Sequence, residues 1–194
     1  KPAYIFASPV HYELLLNYNK KKDLSFLKVP VSGGDSMSAE FEQKVDDEFI
    51  KCNCEAKLGQ GLGMTEAGGT MCVPIPGKIK VGSVGVPFAN TLVSVFDVNT
   101  CEELSYYQKG ELCFSGPSLM KEYLNNPEET QNVLRKHKDG RIWLHTGDIG
   151  YMDKDGYVYH IDRIKRIINR GGLKVYPSEV EKIVLMQSNV KQCI

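Results

Sequence analysis

Charge of either sign is not in excess in this chain: basic and acidic residues number 24 each. That balance excludes the one-signed field of a nucleic-acid-binding or membrane-surface protein. The densest basic run, Lys20-Lys21-Lys22, is followed at once by Asp23 and reads as a solvated loop. Long apolar runs are also missing. Leu14-Leu15-Leu16 is typical of those present, against the roughly 20 residues a spanning helix needs, so no transmembrane segment is expected. The N-terminal KPAYIFASPV lacks the basic, apolar and small-residue succession of a signal peptide. No C-x-x-C occurs among the cysteines at 52, 54, 72, 101, 113 and 193, and the Cys52/Cys54 pair has no second pair to complete a zinc site. Reduced, structural thiols in a cytoplasmic protein are the expectation.

Several catalytic and nucleotide signatures are absent too. There is no G-x-S-x-G elbow and no G-x-x-x-x-G-K-[ST] phosphate loop. Gly59, Gly61 and Gly63 alternate, but the sixth position counted from Gly61 is Glu66, so the dinucleotide fingerprint fails. The four histidines, at 11, 137, 145 and 160, are scattered; packing or strand-surface roles suit them better than acid–base catalysis. Cys113 and Trp143 sit in apolar strand contexts and read as core. What remains is an ordinary globular composition, 42% hydrophobic and 25% charged over 194 residues. That is enough for one sizeable core or one and a half domains.

Three textures follow one another along the chain. Residues 1–80 alternate helical and extended patterns. HYELLLNYNK reads as a helix and LSFLKVPVS as a buried strand ending in the turn signal GGDS. Ser38 is placed to cap a helix whose Phe41, Val45 and Phe49 recur every four positions, with Glu40 and Glu42 in its first turn. EAKLGQ then returns as a strand and opens the glycine stretch GQGLGMTEAGGT. Such alternation predicts a layered α/β sheet, with the glycine loops at 33–36 and 59–69 at strand ends, where these sheets bind ligands.

Residues 81–162 read as a small, β-barrel-like subdomain of short strands: VGSVGVP, TLVSVFDV, GELCFS and RIWLHT. The one helical signal there is NNPEETQNVLRKHK, with Asn126 as cap, Pro127 in the first turn and acids preceding bases. Residues 163–194 read as a connector and the start of an α+β C-terminal domain. In it Ser178 and Glu181 have capping-box spacing, and Val180, Ile183 and Val184 share one helix face.

A hairpin is legible inside TGDIGYMDKDGYVYHIDRIK, with IGYMD and YVYHI as strands and Asp153-Lys154-Asp155-Gly156 as the turn. The distal Glu and spacing of an EF-hand are missing. Folding about Asp155 brings Asp148 opposite Asp162 and next to Arg163. A carboxylate can accept from two sugar hydroxyls and a guanidinium can donate to the sugar or a phosphate. Taken alone, the pair is better explained by a plain surface ion pair.

The combination narrows the reading. SGGDSMS at 32–38, GMTE, GELCFSGPSLMKEYLNNPEET at 110–130, TGD, and D-R-I-K with G-G-x-x-V-x-P-x-E-V-E occur in this order. The set resembles the adenylate-forming superfamily of acyl-CoA synthetases, peptide-synthetase adenylation domains and beetle luciferases. D-R-I-K-x-I-I followed by V-Y-P-x-E-V-E is most like the CoA ligases. The resemblance implies that a small carboxylic acid attacks the α-phosphate of ATP, giving an acyl-adenylate and pyrophosphate, and that a thiol then takes the acyl group. ATP, Mg²⁺ and the co-substrate CoA are its implied ligands, with AMP as a product; no nucleic acid is.

By position, the resemblance implies that Thr65 contacts the α-phosphate and Glu66 holds Mg²⁺. Gly33, Gly34 and Asp35 border the adenine, Gly61, Leu62 and Gly63 pass along the nucleotide, and Asp148 and Arg163 take the ribose. Met64, Ala67, Gly68 and Gly69 line one wall of the acyl pocket. Lys165 matches a hinge about which a small C-terminal domain swings, and Gly171 and Gly172 belong to the CoA channel.

Three positions depart from the pattern. Leu62 stands where the family usually has an aromatic residue, Glu122 where it has glycine, and Asn169 where some members carry lysine. The family's upstream phosphate loop and C-terminal catalytic lysine are not among these residues, so a chain of these residues alone is expected to be inactive. The alternatives are an adenylation domain that loads a carrier protein and a noncatalytic nucleotide-binding relative.

Overall fold

A computed structural model describes residues 1–18, 22–187, 189–190 and 193. Lys20 and Lys21 of the basic run lie outside the described residues. Two compact units emerge from the chain. The first comprises 1–92, 116–121 and 155–159; the second comprises 93–115, 122–154 and 160–194. No helix among the described residues is long and apolar enough to cross a membrane.

The first unit begins as the α/β alternation predicts. Strand β1 (Tyr4–Ala7), helix α1 (Pro9–Leu16), β2 (Val29–Ser32), helix α2 (Ala39–Lys51) and β3 (Gly59–Gln60) form a parallel sheet in the order β1-β2-β3 with its two helices. The start of α2 is local chemistry: Ser38 Oγ accepts from Phe41 N at 3.1 Å. Val45 and Phe49 are fully buried with Tyr12, Leu27, Cys54 and Leu58, and Phe41 packs against them. Tyr12 meets Phe49 edge-on at 6.4 Å and donates its hydroxyl to Val31 O at 3.0 Å. Emptying a side chain of this kind costs about 3–5 kcal/mol, so this cluster is the anchor of the unit.

Glu42 lies in the first turn of α2 as expected and is also wholly buried. Its Oε2 accepts from Gln60 Nε2 at 2.7 Å and Gly82 N at 3.0 Å, which ties α2 to the entrance of the glycine stretch. Burial raises its carboxyl against those two bonds. A second, antiparallel sheet follows: β4 (Leu62–Met64), β5 (Gly69–Val73) and β6 (Val86–Pro87), in that order.

The second unit is built on a sheet in which β7 (Leu92–Phe96), β8 (Gly110–Ser115), β10 (Ile142–Met152) and β11 (Val158–Arg163) run in the order β11-β10-β8-β7. The sheet is open among the described residues: β7 and β11 are its edges and do not pair, so the barrel-like expectation reduces to an open sheet. Helix α3 (Pro127–Val133) is capped as predicted, with Asn126 Oδ1 accepting from Glu129 N at 3.2 Å. It ends sooner than its pattern suggested. Leu134–Lys136 is a strand, β9, paired with Ile142–Leu144 of β10. A sheet edge in reach captured residues whose local preference was helical. Phe96, Cys113 and Trp143 form the buried core beside it, as the strand contexts of Cys113 and Trp143 indicated. All six cysteines are free.

Beyond Arg163, β12 (Ile168–Arg170) and β13 (Leu173–Val175) make a hairpin and α4 spans Pro177–Leu185. The Ser178/Glu181 capping box does not form. Ser178 N donates to Asp162 Oδ2 at 2.9 Å, Ser178 Oγ donates to Ile161 O at 2.9 Å, and Glu181 pairs with Arg166. A buried carboxylate from a distant strand thus replaces the local cap. Burial alone would raise the Asp162 carboxyl, but the Ser178 and Arg163 N–H groups and the nearby Arg166 hold it below the usual range.

Candidate functional site

In the first unit the two glycine loops meet at the carboxyl ends of β2 and β3. Gly61 N donates to Ser32 O at 2.8 Å, and a Cβ on Gly33 would lie 3.5 Å from Gly61 O. This is the strand-end position where α/β sheets take ligands. Gly34 and Asp35 are exposed just beyond, and Asp35 Oδ1 accepts from Ser36 N at 2.8 Å.

The glycine stretch then becomes β4, a three-residue turn of 3₁₀ helix at Thr65–Ala67, and β5. Gly63 has a reason of its own in the fold. A Cβ there would fall 2.3 Å from Gly69 O, so the β4–β5 pair closes only without a side chain. Leu62, half-buried, lies opposite Cys72. Thr65 is exposed and Glu66 half-buried on the 3₁₀ turn, which Gly68 N closes onto Thr65 O at 3.0 Å. Glu66 O accepts from Met120 N at 2.8 Å, holding the turn from outside.

The donor set fits the cation that the resemblance implies. The carboxylate of half-buried Glu66, beside exposed Thr65, offers the hard oxygen ligand that Mg²⁺ prefers. Of the residues expected at the acyl wall, Ala67 is buried, Met64 is half-buried, and a Cβ on Gly69 would meet nothing within 4 Å.

The second unit carries the carboxylate–guanidinium pair. RIWLHT and IGYMD, read as separate strands, are one strand, β10, interrupted by a bulge at TGD. The bulge turns Asp148 toward the end of β11. There Arg163 Nε lies 2.9 Å from Asp148 Oδ1 and His160 Nε2 3.3 Å from the same oxygen. The Asp148 side chain is only 4% exposed and that of Arg163 57%. A plain surface pair would leave both partners in water. Here the carboxylate is buried and depends on its partners, while the guanidinium stays open on one side.

Lys165 sits exposed in a short 3₁₀ turn, Ile164–Arg166, and Gly171 and Gly172 form the exposed β12–β13 turn. The pattern in the sequence missed a group next to Asp148. Glu111, of the GELCFS strand, and His145, immediately before TGD, are both buried and joined at 2.8 Å. His145 Nε2 in turn lies 2.9 Å from His137 Nε2. The one available signal was the period of two, which puts Glu111 and Cys113 on a single face of β8.

Comparison with known proteins places the chain in a family. A family described as "AMP-binding enzyme" matches residues 1–124. The chain is 38% identical over 191 residues to 4-coumarate-CoA ligase 1 of Narcissus pseudonarcissus, covering 95% of this chain and 34% of that relative. It is 39% identical over 175 residues to 4-coumarate–CoA ligase 1 of Petroselinum crispum, covering 88% and 31%. Among solved structures, ATP-bound MatB from Rhodopseudomonas palustris superposes with a TM-score of 0.87 at 26% identity, covering 99% of this chain and 37% of that one. O-succinylbenzoate coenzyme A synthetase from Bacillus subtilis, in complex with ATP and magnesium ion, gives 0.79 at 26% identity, covering 98% and 38%. The chain spans about a third of the length of these relatives.

Proposed function

This chain belongs to the AMP-binding enzyme family, and from that premise we propose that the protein containing it activates a carboxylic acid with ATP and passes the acyl group to CoA. The acid's carboxylate oxygen bonds to the α-phosphorus and pyrophosphate leaves. The CoA sulfur then bonds to the acyl carbon, AMP departs, and the thiol proton is released. The observation that carries the reading is Asp148, a buried carboxylate held through one oxygen by Arg163 and His160. Both contacts fall on Oδ1, which leaves Oδ2 as the acceptor we assign to a ribose hydroxyl.

The remaining roles follow the family positions. Thr65 donates to the α-phosphate and Gly33, Gly34 and Asp35 border the adenine. Gly61, Leu62 and Gly63 run beside the nucleotide, and Met64 with Ala67 to Gly69 form one acyl wall. Glu66 would hold Mg²⁺, whose charge offsets the repulsion between two anions brought together to react. Lys165 is the hinge residue, and Gly171 and Gly172 line the thiol path after the swing. On this reading the three segments 1–80, 81–162 and 163–194 are parts of a longer enzyme, and these residues alone do not turn over.

An acid panel assayed for pyrophosphate release on the full-length protein, with and without CoA, tests the proposal. The panel begins with 4-coumarate, the acid in the names of the relatives above. CoA-dependent thioester supports the CoA ligase, whereas transfer only to a carrier-protein thiol supports the adenylation-domain alternative. Glu66→Gln should depress adenylation sharply, and near wild-type rates would refute its role. Leu62, in place of an aromatic residue, favours a second reading as a noncatalytic nucleotide-binding relative. ATP binding without pyrophosphate release across the panel would establish that one.

A further inference from the structure

The TGD bulge is unusually wide. His145 pairs with Cys113 and Ile149 with Glu111, so Thr146, Gly147 and Asp148 face Leu112 alone. A bulge of this size leaves the ladder, and its direction is defined only if other groups take its backbone polar atoms. Side chains do so here. Glu111 Oε1 accepts from Gly147 N at 2.9 Å, and Glu111 Oε2 accepts from His145 Nδ1 at 2.8 Å. Thr146 Oγ1 donates to Leu112 O at 2.7 Å and accepts from Asp148 N at 3.0 Å.

Glu111 reaches both of its donors because side chains alternate along β8. It shares a face with Cys113, the partner of His145, and so meets His145 diagonally across the two strands. With Nδ1–H committed to Glu111, His145 Nε2 accepts and His137 Nε2–H donates across their 2.9 Å contact. Cys113 Sγ also lies near, at 3.6 Å from His145 Nδ1. The Glu111–His145 distance is nonetheless that of a hydrogen bond. Ligand atoms sharing a zinc ion lie about 3.3–3.7 Å apart, so the arrangement is a clamp rather than a metal centre. Burial would raise the Glu111 carboxyl, but His145 and the Gly147 N–H outweigh it and hold the group below the usual carboxylate range.

Resting on the reading that Asp148 receives the ribose hydroxyls, we propose that Glu111 is a positioning residue for nucleotide binding: its two carboxylate oxygens lock the TGD bulge in the conformation that aims Asp148. His145 is the second arm of this clamp and His137 fixes its tautomer.

The test compares ATP with 2′-deoxy-ATP in adenylation by the full-length enzyme, with thermal melts of each variant. Asp148→Ala should abolish the preference for ATP. Glu111→Ala should remove most of that preference and raise KM for ATP about tenfold or more, with a smaller change in kcat. The double variant should be no worse than Asp148→Ala alone. Glu111→Gln still accepts from Gly147 N and can present its amide to the other tautomer of His145, so it should regain part of the preference. If Glu111→Ala does not fold, Glu111→Gln carries the test through a preference intermediate between wild type and Asp148→Ala. A Glu111 variant that melts earlier yet keeps the wild-type preference, or loses both nucleotides equally, would overturn the proposal. A wild-type preference in Asp148→Ala would overturn the ribose reading itself, and the proposal with it.

Discussion

The glycine stretch of the first unit and the TGD bulge of the second both present chemistry from irregular backbone, by opposite means. The glycine stretch is shaped by what is missing. Gly63 lets β4 close on Gly69 O, and the turn carrying Thr65 and Glu66 follows from that closure. The bulge is shaped by what is added. Glu111 and Thr146 supply the bonds that the ladder cannot. A loop made by absent side chains is defined within its own few residues. One made by buried polar side chains depends on a strand 34 residues away in the sequence.

The contrast can be broken by substitution. Gly63→Ala should have the largest effect, about 3 kcal/mol of lost stability in urea titration, because a Cβ 2.3 Å from Gly69 O forces the backbone apart. Thr146→Val removes a donor and an acceptor at a buried site and should cost about 2 kcal/mol. Gly147→Ala should cost only about 1 kcal/mol, the penalty of a left-handed residue: its φ is +72° and a Cβ would meet nothing within 4 Å. If Gly147→Ala proves worse than Gly63→Ala, the assignment of steric closure to one loop and side-chain bonding to the other is wrong.

The smallest effect concerns pH. Burial, with the neighbouring His145 and Arg135, holds His137 below its ordinary 6.5 against the pull of Asp139 and Glu103. The unfolded chain therefore takes up a proton first as pH falls. Stability from this group is complete above the unfolded value and declines below it. Melts between about pH 7.5 and about pH 5.5 should show the decline. His137→Gln, which keeps a donor toward His145 but does not titrate, should flatten it; an unchanged slope would show that the His137–His145 contact is not its source.

Legibility followed the range of the deciding interaction. The caps at Ser38 and Asn126 lie within three residues of the N–H they bind, and both were readable. The hairpin turn before Gly156 was readable too, since turn chemistry is local. From it followed the meeting of Asp148 and Arg163, although not the burial of the aspartate. The order of motifs identified the family without any coordinates. The Ser178/Glu181 box failed because Asp162 reached the same N–H first, and the tail of α3 was taken by the edge of β10.

By itself, then, the sequence determined the family, the α/β opening and the helix caps at Ser38 and Asn126. Each of these is written in contiguous residues. Only the tertiary structure decided how the aspartate of TGD is aimed. Its support comes from Glu111, on a neighbouring strand, and a buried carboxylate acquires such a role only when folding strips it of water and leaves particular N–H groups as its partners.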